Sequence, residues 1–307
     1  GYLGSSLVKT LGELNCKIYV LTRKYSNDEL LNVIYINNDF SNLTDVPDDV
    51  EVIINCAGVI NQIDEMEKIN VECVKILCEI CVKKNIKLVH ISSVGSYGVI
   101  QDSFVDENTK SFPKSAYEIS KLKGEQVLEN YLKEGLKYNI LQPSIIIGKK
   151  RANNKDAILT LSKLIKKNLI FKINSGEGIY NLIHIDEVIT GIIILSNCDD
   201  IFGQKYILNE NICFNDFFNI VKMELGNNTK TYSLPIFFIK LINATIFLLK
   251  YILPEFSNKI RSIMIVFKLK RMYSSNKFKN QFNYEPKKNI EEYISFMTSN
   301  YINKGEL

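Results

Sequence analysis

The sequence lacks a strong excess of charge of either sign: 38 Lys and Arg face 34 Asp and Glu, a net of +4 over 307 residues. So small an excess excludes a general nucleic-acid binder unless the cations cluster. The seven cysteines are odd in number and show no paired zinc-ligand spacing. That excludes a disulfide framework and a structural zinc site, leaves no metal expected, and points to a reducing, cytoplasmic compartment. Histidine is scarce, at two residues. No repeat, low-complexity tract or secretory leader is visible, and no apolar run of about 20 residues is free of charge near its middle, as a membrane span requires. What is present is ordinary for a globular protein: 46% hydrophobic and 23% charged residues, enough for one large core or two modest ones. Cys73, Cys78 and Cys81 share one face of a helical run and read as small buried hydrophobes.

Short β-branched runs alternate with helical stretches, the pattern of a parallel sheet covered on both faces. The strand runs are 17–22, 33–36, 50–55, 87–92, 139–142 and 203–208; the helical runs are 3–14, 66–84, 115–133 and 155–167. This predicts a doubly wound α/β domain over 1–150, with 176–200 returning to it, and a smaller interleaved unit over 151–307. The chain opens on Gly1-Tyr-Leu-Gly4 running straight into an apolar helix. Glycines at such a turn allow phosphates to approach the backbone and the helix to pack closely, but a dinucleotide-binding turn needs a strand before it. The expectation is therefore a chain lacking its first strand and first motif glycine.

The strongest chemical signal is Tyr117-Glu-Ile-Ser-Lys121 at the start of a helix. Residues four apart share a helix face, and an ammonium close to a phenol lowers its pKa from about 10. Tyr117 would then exchange a proton with a substrate hydroxyl. Upstream, Ile91-Ser92-Ser93-Val-Gly-Ser-Tyr97-Gly98 ends a strand at the edge where ligands of parallel sheets bind. Asn55-Cys-Ala-Gly58 ends another strand, and Asn70 is read as beginning a helix. Singly, Ser92 and Ser93 read as strand-end caps, Asn70 as an N-cap and Gly58 as a turn residue.

Eight short motifs follow one another in a single order: GYLG at the start, Asp39-Phe40, NCAG, INVEC, SSVGSYG, YEISK, LQPSIIIG and LIHIDEV. In this order the chain resembles the extended short-chain dehydrogenase/reductase family, the NAD-dependent epimerase/dehydratase group, over nearly its whole length. The resemblance implies a Rossmann domain in which Tyr117 is the acid/base, Lys121 lowers its pKa and binds the nicotinamide ribose, Ser93 hydrogen-bonds the reacting oxygen, and Asn70 holds a water and the lysine. It also implies cofactor contacts at Gly1, Leu3, Gly4, Asp39, Phe40, Ala57, Gly58, Pro143 and Ser144, and a homodimer formed through the helices starting near Met66 and Ser115. His184 and Asp186 read as structural, Asp186 as a first-turn carboxylate, and His90 as a satisfied core residue.

The second strand is followed by Thr22-Arg23-Lys24 rather than an acidic residue. A guanidinium matches a 2′-phosphate, so this charge pattern favours NADP over NAD. Val94 and Gly95 stand where the family's 4,6-dehydratases carry an Asp-Glu pair, which disfavours dehydration. What remains is a nucleotide-sugar epimerase or ketoreductase. The alternatives are a steroid- or flavonoid-type alcohol dehydrogenase and a non-catalytic nucleotide-binding member. Residues 257–280 carry seven Lys/Arg and no Asp/Glu, and 235–254 reads as an amphipathic helix. Arg261 and Arg271 are the candidates for a substrate diphosphate. The competing reading lays 235–280 on the inner, anionic face of a membrane, and a polyprenyl-linked sugar substrate would satisfy both.

Overall fold

A computed structural model describes residues 1–14, 16–22, 32–37, 43, 46–100, 103–148, 157–168, 171–173, 178–226, 232–234 and 271–307. The helix α1 (Tyr2–Gly12) leads into β1 (Ile18–Thr22), which pairs in parallel with β2 (Val33–Asn37). The central sheet is built from β3 (Val52–Asn55), β4 (Lys87–Ile91), β6 (Tyr138–Pro143) and β10 (Gln204–Leu208), in the order β10-β6-β4-β3 and parallel throughout. Between β4 and β6 lies the short β5 (Phe104–Val105), and among the described residues no strand joins β1 to β3.

Every residue of β4 is buried, as a central parallel strand with helices on both faces requires. The alternation of side chains divides the core in two. Leu88, Tyr138 and Ile140 face α3 (Cys73–Lys84) and α4 (Ala116–Tyr131), against Val74, Leu77, Cys78, Cys81 and Leu128. Val89, Ile91 and Leu141 face α1 and α6 (Ile185–Ser196), against Leu7, Val188 and Ile192. Cys73, Cys78 and Cys81 are buried as expected, and the described residues hold no cluster able to bind a metal.

The later part of the chain forms a second core. There β7 (Ile145–Ile147) and β9 (Ile179–His184) pair in parallel, and β11 (Glu210–Cys213) runs antiparallel to β9. Phe214, Phe217 and Phe218 of α7 (Phe214–Glu224) pack there against Ile158 and Ile165 of α5 (Ala157–Lys166) and Ile294 and Met297 of a C-terminal helix, Ile290–Asn303. Two further two-stranded pairs complete the strands: β8 (Phe171–Ile173) with β12 (Tyr232–Leu234), and β5 with β13 (Met272–Tyr273). The expected return to the first core is α6, whose N-terminus is capped by the His184 side chain accepting from Asp186 N at 3.3 Å. His184 also stacks on Tyr293, ring centroids 3.7 Å apart, so its role is structural. No described helix is long and apolar enough to cross a membrane.

Candidate active site

The C-terminal ends of β3, β4 and β6 meet at one edge of the sheet, and α4 begins beside it. Its first turn is fixed by a capping box: Ser115 Oγ accepts from Glu118 N at 3.2 Å, and Glu118 Oε2 accepts from Ser115 N at 3.0 Å. This sets Tyr117 in the first turn and Lys121 one turn on, both toward β4. Beyond β4, Ser93 is extended and caps a short 3-10 turn over Val94–Tyr97, its Oγ accepting from Gly95 N at 3.0 Å. Gly95 is where the two groups converge. A Cβ there would lie 3.3 Å from Ser93 Oγ and 3.4 Å from Tyr117 Cε1. A larger residue there would displace one or both by a few tenths of an ångström.

Burial raises the Tyr117 phenol above its ordinary pKa, while the Ser93 hydroxyl, close enough to act as its hydrogen-bond partner, pulls the other way. This corrects the expectation that Lys121 lowers it. The Lys121 ammonium donates to Ile91 O at 2.8 Å and is only 3% exposed. Desolvation brings its own pKa down to about 8, against the opposing pull of Glu125 and Cys56. A lysine so deep stays charged only by satisfying its protons locally, and the strand-end carbonyl is the partner it takes.

Asn70 does not begin a helix. It lies inside a continuous helical run, where α2 (Ile63–Glu67) passes through a π turn (Lys68–Glu72) into α3. Such wide turns insert a residue and often mark functional sites. Asn70 Oδ1 accepts from Val59 N at 2.9 Å, and its Nδ2 donates to Val59 O at 3.0 Å and to Ser120 Oγ at 2.9 Å. Its amide therefore clamps the loop after β3 to α4 and makes no direct bond to Lys121. Gly124 permits that approach, since a Cβ there would stand 2.5 Å from Asn70 O.

Among the expected cofactor contacts, Gly1 stands at the N-cap position of α1. Gly4 lies against the loop after β3, its absent Cβ 3.7 Å from Cys56 Cβ, while Leu3 packs toward the apolar cluster of α1 and α6. Ala57 N is used locally, donating to Asn55 Oδ1 at 3.1 Å, and Gly58 sits beside the Asn70 amide. Pro143 ends β6, and the Oγ of the next residue, Ser144, is buried with no partner among the described residues. The N-terminal turn of α1, Gly4 against the loop after β3 and the orphaned Ser144 hydroxyl fit a dinucleotide. Arg23, Asp39, Phe40 and Arg261 lie outside the described residues, as do 235–254 and most of the basic stretch.

The structure also gives partners to Arg271 and His90. Arg271 Nη1 donates to Gly98 O at 2.9 Å and its Nη2 to Ile100 O at 2.8 Å, tying the loop after the 3-10 turn to β13. The guanidinium fork meets two converging carbonyls, and its Nε is buried without a partner among the described residues. His90 is only half satisfied. Its Nδ1 accepts from Asn55 Nδ2 at 3.1 Å, which places the proton on Nε2, and that atom is buried without a partner among the described residues. Burial and the nearby Lys121 hold its pKa well below the usual range, so the ring is neutral.

Residues 1–208 match the model of the NAD dependent epimerase/dehydratase family. The chain belongs to that family. No curated protein is significantly similar to it in sequence. As a member of the NAD dependent epimerase/dehydratase family it shares its fold with a UDP-glucuronic acid 4-epimerase from Bacillus cereus in complex with NAD (TM-score 0.73, 17% identity, 100% of this chain and 97% of that one). A UDP-glucose 4-epimerase from Thermotoga maritima with UDP-glucose gives 0.71 and 18%, over 99% and 96%. A dTDP-glucose 4,6-dehydratase from Bacillus anthracis in complex with NAD gives 0.70 and 17%, over 100% and 95%. The Rossmann-type architecture is thereby shown, and the family is of the extended short-chain dehydrogenase/reductase kind.

Sequence reasoning missed the polar network beneath the site. Ser92, read as a strand-end cap, donates to the buried carboxylate of Glu125, and Gln142 Nε2 donates to both of its oxygens at 2.9 and 3.1 Å. Tyr97 Oη in turn donates to Gln142 Oε1 at 3.0 Å. One signal was present: Tyr117, Lys121 and Glu125 fall at successive i, i+4 positions, a charged stripe on the helix face that must meet the sheet.

Proposed function

We propose that this chain is an NAD(P)-dependent oxidoreductase acting on a secondary alcohol or ketone of a nucleotide-sugar, as a 4-ketoreductase or an epimerase. The reading is carried by one observation: Ser93 Oγ and the Tyr117 ring converge over Gly95, with Lys121 buried one turn away, at the C-terminal edge of the parallel sheet. When bound, a nicotinamide dinucleotide supplies the two-electron acceptor and donor. The protein positions the carbon and manages the proton.

Tyr117, protonated at neutral pH by its burial, is in the form that gives a proton to a carbonyl oxygen being reduced. Ser93 hydrogen-bonds that oxygen and, by stabilising the phenolate, lets Tyr117 take the proton back in the oxidative direction. Lys121 keeps a positive charge under both. Val94 and Gly95 offer no carboxylate where the family's dehydratases carry an Asp-Glu pair, which supports redox chemistry over dehydration. Residues 151–307, with their separate core, supply most of the substrate-binding surface in this reading. The charge of Arg23 and Lys24 favours NADP, and Arg23→Asp should move the ratio of the two dissociation constants toward NAD.

The test is incubation of the protein with NADPH, NADH or their oxidised forms and a panel of UDP- and dTDP-linked sugars, following nicotinamide absorbance and separating the sugars by chromatography. Net oxidation of the cofactor with a 4-keto sugar identifies the reductase. Interconversion of sugars without net cofactor change identifies the epimerase. Conversion of steroid or flavonoid alcohols in preference to every nucleotide-sugar, or no conversion at all, overturns the proposal.

A further inference from the structure

Each strand that ends at the catalytic edge is followed by a large apolar side chain left in the open: Ile60 after β3 (61% exposed), Val99 after β4 (48%) and Ile145 after β6 (53%). Single hydrophobes scattered over a surface mean little, but ligand clefts are lined mainly by apolar groups with a few placed polar ones, and these three follow strands that end at one edge. Ile145 is the best placed. Ile91 pairs with Leu141, and Ser92 N donates to Leu141 O at 2.8 Å. Carried one step further, that register sets Ser93 level with Pro143, and Ile145 stands two residues beyond. There β7 divides its side chains between the two cores: Ile146 packs on the first, whereas Ile147 is buried in the second, as is Leu182, the β9 partner of Ile145. Alternation puts Ile145 on the face of Ile147. It is the point where the apolar face of the second core runs out into the open at the sheet edge that carries Ser93.

We propose that Ile145 is a wall of the substrate cleft and selects a sugar that presents a methyl group, from a 6-deoxy carbon or an N-acetyl, over one that presents a carboxylate. The inference rests on the nucleotide-sugar reading and narrows it. A methyl laid on this side chain removes apolar surface of both partners from water. A carboxylate in the same place sheds hydration against a side chain that has no donor to offer in return. A hydroxymethyl group falls between the two. One methyl in apolar contact discriminates by about tenfold or more, and rejection of the charge adds to that. Ser144 Oγ, one residue earlier and unpartnered among the described residues, serves the dinucleotide in this reading, so neighbouring residues of the chain meet cofactor and substrate.

The test is calorimetric titration of the full chain, with NAD and NADP both supplied, using four ligands that share one nucleotide: UDP-6-deoxyglucose, UDP-N-acetylglucosamine, UDP-glucose and UDP-glucuronic acid. At least one of the two methyl-bearing sugars should bind about tenfold or more tightly than the uronate, and which one does so identifies the source of the methyl. Ile145→Asn should bring that ratio close to one, because the amide can hydrogen-bond a carboxylate and offers less apolar surface. Ile145→Thr keeps the β-branched shape suited to a strand, should lower the ratio by less, and decides the matter if Ile145→Asn does not fold. A purely structural role for Ile145 would shift urea midpoints and leave the ratio where it was. Uronate binding as tight as that of the methyl-bearing sugars, a ratio unchanged in whichever variant folds, or no binding of any of the four overturns the proposal. The expected ratios without turnover of any sugar would strike the hydride-transfer reading alone and uphold the wall.

Discussion

Gly124→Ala probes how closely α4 must sit on the π turn. The added Cβ would stand 2.5 Å from Asn70 O and 3.8 Å from Val74 Cγ2. Carbon and carbonyl oxygen tolerate about 3.3 Å, so the two backbones must separate by roughly 0.8 Å or distort. Overpacking costs about 1–3 kcal/mol, and a backbone neighbour that cannot rotate away places this case toward the upper end. Alanine's better helix propensity offsets about 0.5–1 kcal/mol. The net expectation is a loss of about 1–2 kcal/mol in urea unfolding, with an unchanged m-value. The displacement falls on Asn70, whose amide holds Val59, so dinucleotide affinity should drop with it. A variant as stable as the wild type or more stable would show that the helix does not need this approach, and the account of the π turn would fail.

Arg271→Ala removes the donors of two backbone carbonyls, Gly98 O and Ile100 O, and should destabilise the protein by about 1–3 kcal/mol. Arg271→Lys should lose part of that, because a single ammonium nitrogen must stand in for a fork whose two nitrogens each meet one carbonyl; a substrate KM that rises with stability unchanged would support the diphosphate reading. Lys121 carries a pH signature. Its folded pKa of about 8 lies below the unfolded value of about 10.4, so between those limits the unfolded chain binds more protons and stability rises with pH. The cost of its burial is therefore fully present below about pH 8. Relative to Lys121→Met, the wild type should gain stability between about pH 7 and about pH 10, measured by urea midpoints, and a constant difference between the two would refute the assignment.

Much of this was legible because it is local. The alternation of strands and helices, the one-face spacing of Tyr117 and Lys121 and the buried stripe of Cys73, Cys78 and Cys81 all follow from periods of two or 3.6 residues. What failed was long-range. Ser92 looked like a cap because its partner, Glu125, lies 33 residues further along the chain. Arg271 looked free because the carbonyls it serves are 173 and 171 residues away. The effect of Lys121 on Tyr117 was misjudged because spacing reports proximity and says nothing of desolvation, which here outweighs it for the phenol. The π turn at Asn70 adds a residue to a helix without any sequence signal, and α7 and the C-terminal helix went unread because their apolar faces belong to a second core whose partners are scattered over residues 147–301.

The central claim is that Tyr117 moves the proton. Steady-state turnover and cofactor dissociation constants of Tyr117→Phe, measured beside the wild type on whichever nucleotide-sugar it converts, test it most directly. The account predicts a fall in kcat of about 10²–10⁴-fold with cofactor affinity nearly unchanged, because the phenylalanine ring still fills the space over Gly95. Turnover within a few-fold of the wild type would contradict it.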